Sequence, residues 1–354
     1  MPPITVALDA MGGDHAPREI VAGALEAMRS HPVKIIFVGD RQAIEEHIQN
    51  QDSGIGEYEI LHTPQVISME ESPKDAIEQK PDASITLAAQ LVGEGKADAL
   101  VSAGSTGSVV LSAAKYIPRL YGVRRTAIAT VYPTLNENKR QDNLALMVDV
   151  GANVRCSAEE LVQFAIMGSV YVADIRGITD PKVALLNIGE EATKGGEKMQ
   201  EAYRLLEKVP GMSFSGNIEG KDILRGIVDV IVTEGFVGNI VVKTLEGAAK
   251  TISQLGKMAF KARLGWKVGL FFLRKGLAIL REVTDYTEYG GAPLLGFDKI
   301  VIIAHGRSNA KAVANAIKLA SKCVRDDVCG VIAKKIRTFE TEPGREYGRL
   351  SDEF

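Results

Sequence analysis

Three cysteines, Cys156, Cys323 and Cys329, are all that 354 residues contain. Their number is odd, and none shows CxxC or Cys/His ligand spacing. That argues for a reducing cytosol and against a structural zinc site. No apolar run approaches the roughly 20 residues that a spanning helix needs. The opening "MPPITVALDA" enters a strand pattern without a basic or long apolar leader, so no signal peptide is expected. Net charge is also scarce, at −3, which gives no global field for nucleic acid and requires any anion site to be local. Three chemical signatures are missing as well. The nearest approach to GxxxxGK[ST] is "GNIEGKD" at 216–222, which is one residue short and ends in Asp222. No GxGxxG follows the first strand, no GxSxG elbow occurs, and Cys156 has no histidine beside it. These absences argue against a P-loop NTPase, a standard dinucleotide fold and an acyl-enzyme hydrolase. Direct attack by a bound nucleophile fits them better.

What the chain does have is alternation. β-Branched runs recur as "ITVALDA", "KIIFVGD", "ADALVSAG", "TAIATVY", "LALMVDVGAN", "KVALLNIG", "VDVIVTEG" and "KIVIIAHG". Each is continuously apolar, as expected of strands covered by helices on both faces. Amphipathic stretches at 157–173, 195–208, 236–254 and 308–324 predict helices, with Ser157 and Ser308 where N-caps belong. This pattern predicts an α/β fold, a Rossmann-like, mostly parallel sheet with helices on both faces. A single large domain over 1–336 is expected, with a helical insertion at 250–290 and a polar tail at 337–354.

The strand ends carry "DAMGGDHAP" (9–17), "SAGSTGS" (102–108), "DVGAN" (149–153), "NIGEEATKGG" (187–196), "TEGFVGN" (233–239) and "AHGRSN" (304–309). Ligands of open parallel sheets bind beyond such ends, where glycine admits close backbone approach and helix N-termini favour anions. One such turn commonly just closes a loop. Six of them, taken at one edge, predict an anion site, most simply for phosphate. His15, beside Asp14, is a candidate for proton handling or carbonyl polarisation, though a loop histidine capping backbone groups is equally common. Lys194 precedes two glycines and suits a cation aimed at phosphate or a developing oxyanion, though most such lysines are simply solvated. Asn153, Asn187 and Asn239 each close a glycine-containing turn, as ligands or as routine turn residues.

Seven motifs in order, "DAMGGDHAP", "SAGSTGS", "DVGAN", "LLNIGEEATKG", "GNIEG", "EGFVGN" and "YGGAPLLG…AHGRSNA", resemble the bacterial phosphate acyltransferases of phospholipid synthesis. The likeness runs from about residue 4 to about residue 335. It departs at Ser105, where that family has Asn, and at Thr233-Glu234, where it has Cys-Asp. The resemblance implies transfer of a long-chain acyl group from acyl carrier protein to inorganic phosphate, giving an acyl phosphate for phosphatidic acid synthesis. It also implies a homodimer with a fold related to phosphate acetyltransferase and the isopropylmalate and isocitrate dehydrogenases, without metal or cofactor. On this reading Gly12, Gly13, Asp14, Ser102, Gly104, Ser105, Thr106 and Gly107 bind phosphate, with Asn153, Asn187 and Asn239 as further substrate ligands and His15 and Lys194 as catalytic groups. A short-chain phosphate acetyltransferase or dehydrogenase on the related fold is the enzymatic alternative, and a non-catalytic lipid or carrier scaffold the other.

Residues 257–281 hold seven basic side chains and no acidic one. Lys261, Arg263, Trp266, Lys267, Phe271, Phe272, Arg274 and Lys275 are its candidate contacts with an anionic membrane surface or with acidic carrier protein. A dimer-interface helix with a solvated basic edge would have the same composition. An acyl phosphate is labile and lipid-like, so a cytoplasmic enzyme held at the membrane would release it to a membrane-bound acyltransferase.

Overall fold

The computed structural model describes residues 3–49, 56–137, 141–261 and 290–340. Eleven strands form one sheet: β1 (Ile4–Asp9), β2 (Val33–Gly39), β3 (Tyr58–His62), β4 (Ala99–Ser102), β5 (Ala127–Pro133), β6 (Leu144–Val148), β7 (Lys182–Leu186), β8 (Ser213–Ile218), β9 (Val230–Val232), β10 (Ala292–Leu295) and β11 (Ile300–Ile303). Their spatial order is β3-β2-β1-β4-β11-β10-β5-β6-β9-β7-β8. The strands are apolar throughout because both faces are covered. Val6 and Leu8 pack into one core while Ala7, between them, packs into the other, and Ala99/Val101 against Leu100 repeat the division.

The first face carries α1 (Arg18–Ser30), α2 (Arg41–Gln49), α6 (Ala158–Arg176), α7 (Gly196–Leu206), α9 (Ala310–Arg325) and α10 (Val328–Glu340). The second carries α3 (Pro73–Gln79), α4 (Ser84–Gly93), α5 (Thr106–Tyr116) and the start of α8 (Gly235–Lys261). Ser157 caps α6 in a full capping box with Glu160, as its position predicts. The cap of α9 is Asn309, not Ser308: Asn309 Oδ1 accepts from the Ala312 amide at 2.9 Å, and Ser308 is buried. Residues 337–340, counted with the polar tail, belong to α10, which continues to Glu340 and buries Phe339, and the rest of the tail lies outside the described residues.

All eight strands expected from apolar runs are present. The three others lack that signal: β3 is an edge strand with four of its five residues exposed, β8 is an edge strand interrupted by Gly216, and β10 has only four residues.

The sheet is mostly parallel, but it has two senses. Strands β3, β2, β1, β4 and β11 run together. Across the β11–β10, β10–β5 and β5–β6 antiparallel pairs, direction reverses three times. The block β6-β9-β7-β8 therefore runs opposite to the first block. The single edge expected to gather six glycine-rich turns is in fact two edges, with three turns at each.

Candidate active site

At one edge, the loops after β1, β4 and β11 converge. Gly13 is their meeting point: at φ +105° a Cβ there would lie 3.1 Å from both Ala103 O and Gly306 O, so glycine is required by space and by backbone conformation together. The Asp14 amide donates to Gly306 O at 2.7 Å, and its carboxylate faces the Arg307 guanidinium at 3.6 Å. Beneath them Asp9, only 1% exposed, accepts from Ser102 Oγ at 2.7 Å, and Ser102 Oγ in turn accepts from the Gly104 amide at 3.0 Å.

The open end of this cluster is α5. Ser105 is its N-cap, accepting from the Ser108 amide at 3.3 Å. The first-turn amides of Thr106 and Gly107 have no intrahelical partner and carry the positive end of the helix dipole. α9 is closed by contrast, because Glu19 takes the Ala310 amide at 2.9 Å and Asn309 takes that of Ala312. His15 is exposed at the start of α1, with no described residue hydrogen-bonded to its ring. Two neighbours were not singled out from sequence, although "AHGRSN" contains both. Arg307 supplies the cation, and His305 Nδ1 accepts from the Arg307 amide at 3.0 Å. Desolvation pushes the His305 pKa down, in keeping with a neutral ring that can accept.

The other edge holds the remaining candidates, and most are occupied in building turns. Buried Asp149 gathers the amides of Ile128, Gly151 and Ala152 on one oxygen, and both the amide and Nδ2 of Asn153 on the other. Asn153 Nδ2 also donates to Thr126 O at 2.7 Å, which uses its second hydrogen. Asn187 also serves its own turn, accepting from the Ile188 amide at 2.8 Å and donating to Lys194 O at 3.2 Å. Asn239 is exposed near the start of α8, beside Gly151. Lys194 is exposed, its nearest carboxylate Glu191 at 3.9 Å, while Lys198 pairs closely with Glu234. β1 and β7 are seven strand spacings apart, about 34 Å of sheet. One chain thus does not bring His15 and Lys194 together.

The cysteines offer no nucleophile. Burial pushes the thiols of Cys156, Cys323 and Cys329 up to about 12. Glu190, Glu219 and Asp222 place ligand atoms within 4.8 Å of one another. Lys221 lies 2.6 Å from Glu219 and 3.6 Å from Glu190, and Arg225 2.7 Å from Asp222, so each of the three carboxylates already faces a basic side chain. Lys261 is the last residue of α8. Arg263, Trp266, Lys267, Phe271, Phe272, Arg274 and Lys275 lie outside the described residues. Among the described residues no helix is long and apolar enough to cross a membrane.

The fold is a mostly parallel α/β sheet with helices on both faces, and solved phosphotransacetylases share it. A phosphotransacetylase from Streptococcus pyogenes superposes with TM-score 0.62 at 17% identity, covering 91% of this chain and 94% of that one. A branched-chain phosphotransacylase from Enterococcus faecalis follows at 0.53 and 15%, covering 91% and 99%. The family model described as "Fatty acid synthesis protein" matches residues 4–331. The phosphate acyltransferases of Dictyoglomus turgidum (46% identical, 91% of this chain and 95% of theirs) and Moorella thermoacetica (47%, 90% and 92%) are similar over nearly full length. The chain belongs to this family of phosphate acyltransferases and is an acyltransferase enzyme of fatty acid synthesis.

Proposed function

We propose that this enzyme transfers a long-chain acyl group from acyl carrier protein to inorganic phosphate, releasing an acyl phosphate. The observation that carries the reading is the convergence of three glycine-rich turns on the open N-terminus of α5, with Arg307 at the rim and no activated thiol beside it. Phosphate binds against the Thr106 and Gly107 amides, and its charge is met by the helix dipole and Arg307. One of its oxygens attacks the thioester carbonyl carbon. The carbon–sulfur bond then breaks as the tetrahedral oxyanion collapses, and the thiolate takes a proton from solvent or from His15. Phosphate is largely dianionic near neutral pH, so positioning and oxyanion stabilisation supply most of the rate. His15, exposed at this edge, orients phosphate or polarises the carbonyl.

Lys194 reaches this centre only from a second copy. A homodimer in which each subunit lends Lys194 to the other's phosphate site reconciles both candidates with the two-sense sheet. The exposed Ile252, Leu255 and Met258 on the outer turns of α8 lead into the basic 257–281 segment. They support its use as a contact with an anionic membrane or carrier protein, next to a membrane-bound consumer of acyl phosphate. The function is tested by incubating the protein with long-chain acyl carrier protein, with and without phosphate. Phosphate-dependent thioester loss, trapped by hydroxylamine as a hydroxamate, is expected. Loss that ignores phosphate would mean a thioesterase and overturn the proposal.

A further inference from the structure

Asp9 is a buried carboxylate that the chemistry above does not use. It ends β1, no lysine or arginine pairs with it among the described residues, and burial raises its pKa against the hydrogen bonds of Ser84, Ser102 and the Met11 and Gly12 amides. Carboxylates in such places are costly unless their hydrogen bonds do something. The glycines around it show what it touches. A Cβ on Gly12 would collide with Asp9 Oδ2, and one on Gly104 would lie 3.1 Å from Ser102 Oγ and 3.4 Å from Asp9 Oδ2. Both glycine-rich turns therefore rest directly on the Asp9–Ser102 pair. The links are continuous: Met11 N to Asp9 Oδ1 at 3.3 Å, Ser102 Oγ to Asp9 Oδ2 at 2.7 Å, and Gly104 N to Ser102 Oγ at 3.0 Å. Gly104 precedes the Ser105 cap, so this chain of bonds fixes where α5 begins and where its free amides point.

We propose that Asp9 is a positioning residue for the phosphate subsite, acting through Ser102 to hold the Gly104–Gly107 turn against the Met11–Gly13 turn. The Gly104 amide, drawn inward to Ser102, is removed from the ligand, which leaves Thr106 and Gly107 as the donors that face phosphate. The pair thus sets phosphate affinity without touching phosphate. The acyl donor gains nothing from it directly. This inference rests on the reading of these turns as the phosphate site.

The test is steady-state kinetics on purified full-length variants. Ser102→Ala is expected to raise KM for phosphate by about ten-fold, the scale of one lost hydrogen bond to a charged group. KM for acyl carrier protein is expected within about two-fold of wild type, since that half of the reaction is untouched. Asp9→Ala should act in the same direction, and Asp9→Asn, which keeps one acceptor oxygen in place, should recover most of the loss. The Asp9→Ala/Ser102→Ala double variant should be no worse than the worse single, because the two residues are links of one chain. Should Asp9→Ala fail to fold, Ser102→Ala decides alone. A phosphate KM unchanged in Ser102→Ala, or both KM values rising together, overturns the inference. Arg307→Ala separates the two levels. If it raises phosphate KM while Ser102→Ala does not, the site stands and Asp9 is only structural. If Arg307→Ala has no effect either, the phosphate site itself is misplaced.

Discussion

Mixing two inactive variants tests the shared site. His15 follows β1 and Lys194 follows β7, and seven strand spacings, about 34 Å, separate those strands within one subunit. Neither side chain covers more than a small part of that distance. As homodimers, His15→Ala and Lys194→Ala are each expected to lose about 10²-fold in turnover, the scale of one oxyanion donor. In a mixed dimer, one site joins both altered residues and the other joins both intact ones. Random reassortment makes half of the dimers mixed, so an equimolar, co-expressed preparation should recover about a quarter of wild-type activity. The assay is phosphate-dependent hydroxamate formation on co-purified, differently tagged subunits. Recovery no higher than the mean of the two singles would refute the exchange of Lys194 between copies. Lys194→Ala retaining wild-type turnover alone would refute any role for that lysine.

Other expectations are more local. Gly13→Ala places a Cβ 3.1 Å from two carbonyl oxygens at φ +105°, and a cost of about 1–3 kcal/mol, read by urea unfolding, is expected with weakened phosphate binding. Ser157→Ala removes one side of the α6 capping box and should lower stability by about 1 kcal/mol with kinetics unchanged. The folded-state pKa of His305 is depressed, so the unfolded chain binds its proton first on acidification, and stability should fall as pH drops below about 6.5. His305→Gln should flatten that slope, and an unchanged slope would show that another group causes it. Phe271→Glu/Phe272→Glu should cut sedimentation with anionic vesicles by about ten-fold, while unchanged pelleting would remove the segment from membrane contact.

The strands were legible because both faces of the sheet are covered, so composition alone marked them. Strand sense was not legible. The reversal takes three antiparallel pairs, β11–β10, β10–β5 and β5–β6, and neither "APLL" nor the apolar runs beside it carry a directional signal. The glycine turns were readable as close approaches, and Gly12, Gly13 and Gly104 are such approaches. Their grouping at one edge was an inference from parallel topology, and it failed where the topology changes hand. Asn153 and Asn187 looked like ligands because amides suit oxyanions, but the same amides satisfy turn backbones, and only partners distinguish the two uses. Arg307 and His305 stood in a quoted motif. What hid them was that a basic residue in a loop has no spacing to announce it.

The chain order of the sheet has a consequence for synthesis. The block β6-β9-β7-β8 is drawn from residues 144–232, a contiguous stretch. The N-terminal block is not contiguous: β11 lies against β4, and Gly23 of α1 packs on Ala310 and Val313 of α9. As the polypeptide leaves the ribosome, its first four strands must wait for residues beyond 300 before their row is complete, while a later-made stretch can already close on itself. The part translated first is the part finished last. Asp9, Gly12 and Ser102, all made early, acquire the Arg307 side of their site only when the final helices emerge.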